Sequence, residues 1–318
     1  MLKKSILQSA GTVFLAGSLA LVTLTSCKKD PTATSPPPSN TIADIVSSNT
    51  SFSILKAAVV KADLANTLSG TGPFTVFAPN DAAFTASGIT LASINALSSD
   101  ELKKILLYHT LSSKVISTAV PAGPNAPVTT VNKDPFYVTR NNSGVFVNGI
   151  KVQTADVAAD NGVIHVLDRV LLPAKGNLVE VAQGDTSFSF LVAAVLRASS
   201  GNTDVVAALS GTGPFTVFAP TNNAFRAAGF STINDVSNAD PNTLASILTY
   251  HVVSGRVFSS DLSEGAQPAT LNGANVTIGL TSGATVKGNS NASPSNITAA
   301  NILATNGVVH VIDRVLLP

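Results

Sequence analysis

Two segments of the chain carry apolar residues at the spacing of a helix. Residues 52–62 read FSILKAAVVKA and residues 188–198 read FSFLVAAVLRA. Apolar side chains at i, i+3 and i+7 fall on one face of an α-helix, so each segment is predicted to form an amphipathic helix that packs on a core. These positions are Phe52, Leu55 and Val59 in the first segment and Phe188, Leu191 and Val195 in the second.

Two further blocks repeat almost letter for letter. The sequence LSGTGPFTVFAP occupies residues 68–79 and again residues 209–220. The blocks NGVIHVLDRVLLP (161–173) and NGVVHVIDRVLLP (306–318) agree at 11 of 13 positions. A period of about 140 residues exceeds the units of solenoids and has the size of an independent domain. The sequence therefore predicts two copies of one domain.

Polar residues mark the start of a further helix in each copy. In the first copy Ser98 and Glu101 form a capping-box pattern. In the second copy Asp240 can cap the helix and Pro241 suits its first position. Different residues therefore specify the same helix start in the two copies.

The second half of each copy has the pattern of strands. Residues 138–140 and 145–147 flank an Asn-Asn-Ser-Gly turn, which predicts a hairpin. The closing segments, residues 163–172 and 308–317, are apolar on both faces, as central strands are. Helices followed by a run of strands predict an α+β domain.

The charge balance excludes nucleic acid as a partner. The formal net charge is +1 over 318 residues, and charged residues make up only 12% of the chain. Nucleic-acid binding requires a basic surface, which so neutral a chain does not provide. A folded, extracytoplasmic protein is the class that this composition favours.

The first 26 residues have the layout of a secretory signal peptide. Two lysines precede a mostly apolar stretch, residues 10–25, which is short for a membrane span. Residues 24–27, Leu-Thr-Ser-Cys, resemble the bacterial lipobox, and this resemblance implies that Cys27 is lipidated. Cys27 is also the only cysteine in the chain, and a lone free thiol is unusual in a secreted protein.

Residues 27–39 are predicted to be a tether that begins at the lipidated Cys27. Pro, Ser and Thr dominate this segment, and they do not build a core. A lysine rather than an aspartate follows Cys27, which favours the outer membrane over retention at the inner one. We therefore expect a protein that is secreted and lipid-anchored at the bacterial cell envelope, with periplasmic and surface-exposed orientations both open.

Taken together, the repeated blocks resemble the fasciclin family and its FAS1 domain. The resemblance covers nearly the whole chain after residue 40 and implies domains at residues 40–173 and 174–318. Each would be a β-sandwich or wedge of about seven strands with several packed α-helices. Three signatures occur in order in both copies: Thr75 to Pro79, Tyr108-His109 and Asn161 to Pro173, and then Thr216 to Pro220, Tyr250-His251 and Asn306 to Pro318.

The resemblance implies adhesion or extracellular binding. In animal fasciclin proteins, integrin contact has been placed at the Tyr-His pair and at an Asp-Ile pair before the closing strand. Asn301 takes the place of the aspartate in the second copy and removes a carboxylate that an integrin metal site would need. A purely structural role for these residues is an equal alternative. By resemblance, the candidate binding residues are Tyr108, His109 and Asp156 in the first copy and Tyr250, His251 and Asn301 in the second.

The histidines do not predict a catalytic or metal site. His109 and His251 continue the apolar faces of their helices, which predicts core positions. His165 and Asp168 lie three apart on a strand and so point to opposite faces. The sequence contains no HExxH, GxSxG or phosphate-loop motif. We therefore expect neither catalysis nor a metal or other cofactor.

Three functions remain open on the sequence. The leading one is adhesion to a cell-surface or matrix protein or polysaccharide by a protein held at the membrane through its N-terminal lipid. The second is a periplasmic or envelope binding protein for a small apolar or sugar ligand, which predicts a pocket between the domains. The third is an enzyme that depends on His109 or His165, and it is disfavoured.

Overall fold

A computed structural model describes residues 40–318 of the protein. The predicted signal peptide, the predicted lipidation site Cys27 and the tether up to residue 39 lie outside the described residues. Within residues 40–318, no helix is long and apolar enough to cross a membrane.

The first copy opens with helices and closes with strands, as its sequence pattern predicts. Two short 3-10 helices cover Thr50–Phe52 and Ser117–Ala119. The helices are α1 (Ile42–Ser48), α2 (Ser53–Lys61), α3 (Ala65–Leu68), α4 (Asp81–Ala86), α5 (Leu91–Ala96) and α6 (Ser99–Tyr108). The strands are β1 (Phe74–Pro79), β2 (Thr110–Leu111), β3 (Gly123–Thr129), β4 (Pro135–Asn141), β5 (Gly144–Val147), β6 (Ile150–Ala159) and β7 (Gly162–Leu167).

The second copy repeats this order of elements with one strand fewer. Its 3-10 helices cover Thr186–Phe188 and Ser259–Asp261. The helices are α7 (Leu178–Gln183), α8 (Ser189–Ala198), α9 (Val205–Ser210), α10 (Asn222–Ala227), α11 (Ile233–Ser237) and α12 (Pro241–Tyr250). The strands are β8 (Phe215–Pro220), β9 (Val252–Ser254), β10 (Thr277–Gly279), β11 (Thr285–Lys287), β12 (Ser295–Ala304) and β13 (Gly307–Ile312).

Each copy is built on one mixed sheet. The strand order is β2-β1-β7-β6-β5-β4-β3 in the first copy and β10-β11-β12-β13-β8-β9 in the second. The closing strands β7 and β13 each lie between a parallel neighbour, β1 or β8, and an antiparallel one, β6 or β12. This central place explains why they are apolar on both faces. The prediction of two α+β domains with about seven strands each is confirmed.

The sheet of each domain separates two apolar cores. In the first domain, helices α1, α2 and α6 pack on one face around Phe52, Leu55 and Ile164. The other core contains Phe77, Tyr108, Phe136 and other residues of the curled strands. Alternate residues of the same strands therefore serve different cores, which is how Phe77 and Ala78 are both buried.

The helix starts that the sequence predicts are present. Ser98 accepts a hydrogen bond from the backbone N–H of Glu101, whose carboxylate accepts from the N–H of Ser98 in return. Asp240 accepts from the N–H of Thr243, and Pro241 occupies the first turn of α12. These contacts satisfy N–H groups that a helix leaves without an internal partner.

The two domains meet through β3 and β4 of the first domain and the segment that follows β9 in the second. The ring of Tyr137 lies 4.1 Å from the guanidinium carbon of Arg256 and 6.0 Å, centroid to centroid, from the ring of Phe258. Asn125 Nδ2 donates to the carbonyl of Arg256 at 2.5 Å. A tyrosine of one domain thus packs against both a cation and an aromatic ring of the other.

Arg256 is held in place by its own domain. Its guanidinium donates three hydrogen bonds, at 3.0–3.1 Å, to the carbonyls of Ala304, Thr305 and Gly307 at the β12–β13 turn. Burial lowers the pKa of Arg256 from its ordinary value, but a guanidinium remains charged at neutral pH. The interface therefore rests on a fixed cation.

Candidate functional site

The two tyrosines of the Tyr-His pairs are fully buried. Tyr108 and Tyr250 are both 0% exposed. Tyr108 Oη donates to the carbonyl of Pro135 at 3.1 Å and accepts from Asn148 Nδ2 at 3.0 Å. Burial raises the pKa of Tyr108 well above its ordinary value. Tyr108 is therefore a neutral phenol at physiological pH that connects helix α6 to strand β4.

Tyr250 occupies the equivalent place in the second domain. Its Oη donates to the carbonyl of Asn275 at 2.6 Å and accepts from the N–H of Asn289 at 3.0 Å. The partners differ in kind from those of Tyr108, because a backbone N–H replaces a side-chain amide. The hydroxyl is nevertheless fully used within the fold in both domains.

The adjoining histidines are also buried, and both ring nitrogens of each are bonded. His109 Nδ1 lies 2.8 Å from the carbonyl of Ile105, and its Nε2 lies 3.0 Å from the N–H of Leu171. In the second domain His251 makes the same pair of contacts, to Ile247 and Leu316. Because a carbonyl only accepts and an N–H only donates, both rings carry their proton on Nδ1.

Burial keeps these histidines neutral. It lowers the pKa of both His109 and His251 to about 4. Each ring joins the end of α6 or α12 to the segment after the closing strand, at Leu171 or Leu316. The core position that the helix pattern predicts for His109 and His251 is thus observed.

The second pair of histidines lies on the closing strands. His165 Nε2 contacts the carbonyl of Val115 and His310 Nε2 that of Val257, both at 2.8 Å. His165 Nδ1 accepts from the N–H of Asp156 at 3.2 Å, whereas His310 Nδ1 is buried without a partner. Burial lowers the pKa of His310 below its ordinary value.

Asp156 and Asn301 lie apart from the Tyr-His pairs and cap 3-10 helices. Asp156 Oδ1 accepts from the N–H of Ser117 at 2.8 Å and its Oδ2 from Ser117 Oγ at 2.5 Å. Asn301 makes the equivalent contacts to Ser259, accepting through Oδ1 and donating through Nδ2, both at 2.8 Å. An amide replaces a carboxylate here, and the two contacts remain.

A backbone irregularity holds both side chains in this position. Asp156 and Asn301 have φ values of +61° and +66°, and each lies at a register shift between the last two strands. A bulge redirects one side chain out of the sheet, which here brings it onto the 3-10 helix. Asp156 is exposed, and although its partial burial raises its pKa, the hydrogen bonds from Ser117 bring the pKa below its ordinary value.

The candidate residues therefore fall in two places, and the structure does not bring them together. The Tyr-His pairs connect elements inside each domain, whereas Asp156 is exposed and Asn301 is half-buried beside Gly149 of the first domain. Within residues 40–318 no group of three or more His, Cys, Asp or Glu side chains is placed to hold a metal ion.

Asn161 and Asn306 are residues whose role sequence reasoning missed. Asn161 is buried, accepts from the N–H of Ile42 at 3.0 Å, and donates to the carbonyls of Leu68 and Gly70 at 2.8 and 2.7 Å. Asn306 makes the equivalent three bonds in the second domain. Their place at the head of a repeated block is a signal that could have singled them out.

A family model for the fasciclin domain matches residues 50–173 and again residues 187–318. The chain is 31% identical over 252 residues to the transforming growth factor-beta-induced protein ig-h3 of Sus scrofa, covering 79% of this chain and 35% of that protein. It is 29% identical over 262 residues to human periostin, with 79% of this chain and 29% of that protein covered. The chain thus spans about a third of the length of these relatives.

Single-domain similarity is higher to a bacterial protein. Protein sll1483 of Synechocystis is 44% identical over 135 residues, covering 42% of this chain and 73% of that protein. Among solved structures, a FAS1 domain pair from the insect cell adhesion molecule Fasciclin I aligns with a TM-score of 0.40 and 21% identity, over 83% of this chain and 96% of that one. With one family match in each half, and with helices followed by strands and a buried Tyr-His pair in both, the chain belongs to the fasciclin domain family and carries its domain twice.

Proposed function

We propose that the protein is a lipid-anchored adhesion protein whose two fasciclin domains bind a cell-surface or matrix protein or polysaccharide without catalysis. The observation that supports this most is the tandem family match over both halves of the chain. Adhesion or extracellular binding is the role that the fasciclin resemblance implies.

Two similar domains suit a bivalent adhesin. A second contact made by a molecule that is already bound benefits from a high effective concentration, so two weak sites together give firm attachment. The contact of Tyr137 with Arg256 and Phe258 supports a restricted spacing between the two binding surfaces. A restricted spacing strengthens binding only to partners whose sites match it.

A non-catalytic role fits the state of the histidines. His109 and His251 are buried and neutral, and both ring nitrogens of each are already bonded. A general base needs a nitrogen within reach of a substrate proton. Neither residue offers one in this arrangement.

Membrane attachment through Cys27 and location at the outer membrane are part of the same proposal. A diacylglyceryl group together with an N-acyl chain gives stable anchoring, whereas a single chain is marginal. The Pro- and Ser-rich residues after Cys27 would then act as a spacer between the membrane and the first domain.

The function is tested by measuring whether the purified protein, coupled to beads, is retained on cell-surface, matrix-protein and polysaccharide preparations. We expect retention on at least one of them, and retention on none would remove the support for adhesion. Asp156→Asn is the informative variant, because Asn301 already makes the same two contacts to its 3-10 helix.

The variant Asp156→Asn separates a binding role from a structural one. We expect its melting temperature to equal that of the unchanged protein, while Asp156→Ala loses about 1 kcal/mol of stability with the cap. If Asp156→Asn lowers retention at an unchanged melting temperature, the carboxylate contacts the partner. Unchanged retention would show that the partner does not depend on the carboxylate of Asp156.

A further inference from the structure

A narrow apolar pocket lies inside the second domain, between its first helices and its central strands. Helices α7, α8 and α9 form its walls, and β8 and β13 form its floor. Its mouth lies beside Val192 and Leu196 of α8, and the side chain of Leu196 is 58% exposed. The lining includes Ala182, Leu191, Val195, Leu209, Val217 and Val309.

Only two of the side chains that line the pocket carry hydrogen-bonding groups, the exposed Gln183 and the buried His251. His251 is part of the lining, but its Nδ1 is bonded to the carbonyl of Ile247 and its Nε2 to the N–H of Leu316. A polar group placed there would lose its hydrogen bonds to water without replacement, which costs several kcal/mol. Whatever enters the deep end must therefore be apolar.

The first domain shows which substitutions open this pocket. The equivalent of Ala182 is Val46 and that of Val309 is Ile164, and both larger side chains are buried in the first domain. The alignment of the two helices is fixed, because the N–H groups of Ile42 and Leu178 bond to equivalent asparagines. At these two positions the second domain has three fewer side-chain carbons on the same backbone.

The mouth also differs between the domains. Val192 replaces Lys56, whose Nζ donates to the carbonyl of Ser47 at 3.0 Å in the first domain. The second domain thus carries an apolar residue where the first carries a bonded ammonium group. A concave pocket lined mainly by apolar side chains is typical of a small-molecule site.

The size of the pocket limits what enters it. Its cavity volume is about 70 Å³. A buried water needs about 10–15 Å³ of such space, so the pocket has room for about five to seven non-hydrogen atoms. An unbranched alkyl chain of that length fits a narrow apolar space without leaving a polar group unpaired.

A polar hollow adjoins the mouth and limits the charge and polarity of the head group that remains outside the pocket. It shares Ala182, Gln183 and Val192 with the pocket and is otherwise lined by Asp185, Thr186 and Ser189. Asp185 is the one charged side chain of this lining, and a carboxylate disfavours an anionic head group beside it. Amide, hydroxyl and carboxylate groups together suit a neutral head group that carries hydroxyls.

We propose that the second domain binds a neutral amphiphile, with an alkyl chain of about five to seven carbons in the apolar pocket and a hydroxyl-bearing head group at Gln183, Asp185, Thr186 and Ser189. The ligand could be supplied as a free molecule or by a membrane glycolipid, and both share this chemistry. The proposal does not depend on adhesion, and the pocket lies within one domain rather than between the two.

The test is calorimetric titration of the purified full-length protein with ethyl, butyl, hexyl and phenethyl β-glucoside and with hexanoate. We expect one site per chain, an affinity that rises about fourfold for each added methylene up to hexyl, and weaker binding of hexanoate than of hexyl glucoside. Absence of binding by every alkyl glucoside would overturn the proposal. Tighter binding of phenethyl glucoside than of hexyl glucoside would also overturn it, because the pocket would then accept an aromatic group.

Two variants make the test specific to the pocket. Ala182→Val with Val309→Ile introduces the side chains that the first domain already accommodates, so we expect an unchanged or higher melting temperature and affinity reduced by about tenfold or more. Val192→Lys introduces the mouth residue of the first domain and should weaken binding without affecting the core. Val60→Ala alters the exposed equivalent of Leu196 in the first domain, 66% exposed, and should change nothing. Binding that survives both pocket variants would contradict the assignment.

A flotation assay distinguishes the two sources. The protein used is the unlipidated Cys27→Ser variant, because a lipid on Cys27 would by itself attach the protein to any vesicle. Phosphatidylethanolamine vesicles are prepared with and without a monoalkyl glucolipid. Flotation of the protein only with the glucolipid vesicles, abolished by Val192→Lys, supports a membrane lipid as the ligand. Hexyl glucoside binding without flotation supports a free amphiphile.

Discussion

The surroundings of two histidines determine their role in this protein more than the intrinsic reactivity of the imidazole ring does. His109 and His251 would be reactive on a surface, yet burial lowers their pKa values to about 4. Each uses one ring nitrogen as donor and the other as acceptor, so the neutral ring is the form that fits. Protonation would place a second N–H against the N–H of Leu171 or Leu316.

These histidines predict a stability that falls in mild acid. The unfolded chain takes up a proton near pH 6.5 and the folded one only near pH 4, so unfolding is favoured increasingly as pH falls through this window. At about pH 5 the loss is about 2 kcal/mol per histidine. Urea unfolding at neutral pH and at about pH 5 measures it. In His109→Gln, which is less stable at neutral pH, we expect the pH-dependent loss to be smaller by the share of His109, about 2 kcal/mol at pH 5, because His251 and His310 keep their lowered pKa values. An unchanged pH dependence would contradict this account.

At the scale of elements, the repeated blocks are the segments that contact each other. Strand β1 pairs in parallel with β7, and the N–H of Phe74 bonds to the carbonyl of Asn161 at 2.9 Å. Gly72 has a φ of +60°, and a Cβ built on it would lie 2.2 Å from that carbonyl oxygen. The Gly70-Thr71-Gly72-Pro73 turn therefore brings two backbone segments into close contact, and a residue with a Cβ does not fit at Gly72.

The side chain of Asn161 is predicted to hold this arrangement together. Asn161→Ala leaves the N–H of Ile42 and two carbonyls without their partner, so we expect a loss of about 2–4 kcal/mol. Asn306→Ala should cost a similar amount in the second domain, and the exposed Asn95→Ala is the control. The stabilities of the three variants are compared through their midpoints of unfolding in urea. A midpoint for Asn161→Ala equal to that of Asn95→Ala would show that the asparagine is not needed.

The type and spacing of residues along the sequence predicted helix starts, a hairpin and central strands correctly. They did not predict features that depend on pairing between distant segments. The caps at Ser98 and Asp240, the hairpin after Val138 and the central closing strands follow from residue type and period. Strand β3 escaped prediction because two of its seven residues are proline and it lacks a clear alternation. The bulge that directs Asp156 onto Ser117 has no local signature either, because it depends on pairing between β6 and β7.

At the scale of the molecule, duplication has produced two domains that are no longer equivalent. Tyr137 of the first domain contacts Arg256 and Phe258 of the second, whereas its own domain has Lys114 where the second has Arg256. An apolar pocket lies in the second domain, where Ala182 and Val309 stand in place of the larger Val46 and Ile164. The two copies thus differ at positions that shape the pocket and the contact between the domains, and the sequence repeat does not reveal such differences.

Adhesion to partners outside the cell requires that both domains be exposed there, and this is the most direct test of the proposed function. Lys103 of the first domain and Lys287 of the second are both exposed in the structure. Intact cells that produce the protein are treated with a membrane-impermeant amine reagent, and the label on each lysine is measured by mass spectrometry, with a periplasmic protein as the control. The adhesion proposal predicts that Lys103 and Lys287 are labelled while the periplasmic control is not. Labelling of these lysines only after the outer membrane is permeabilised would contradict it.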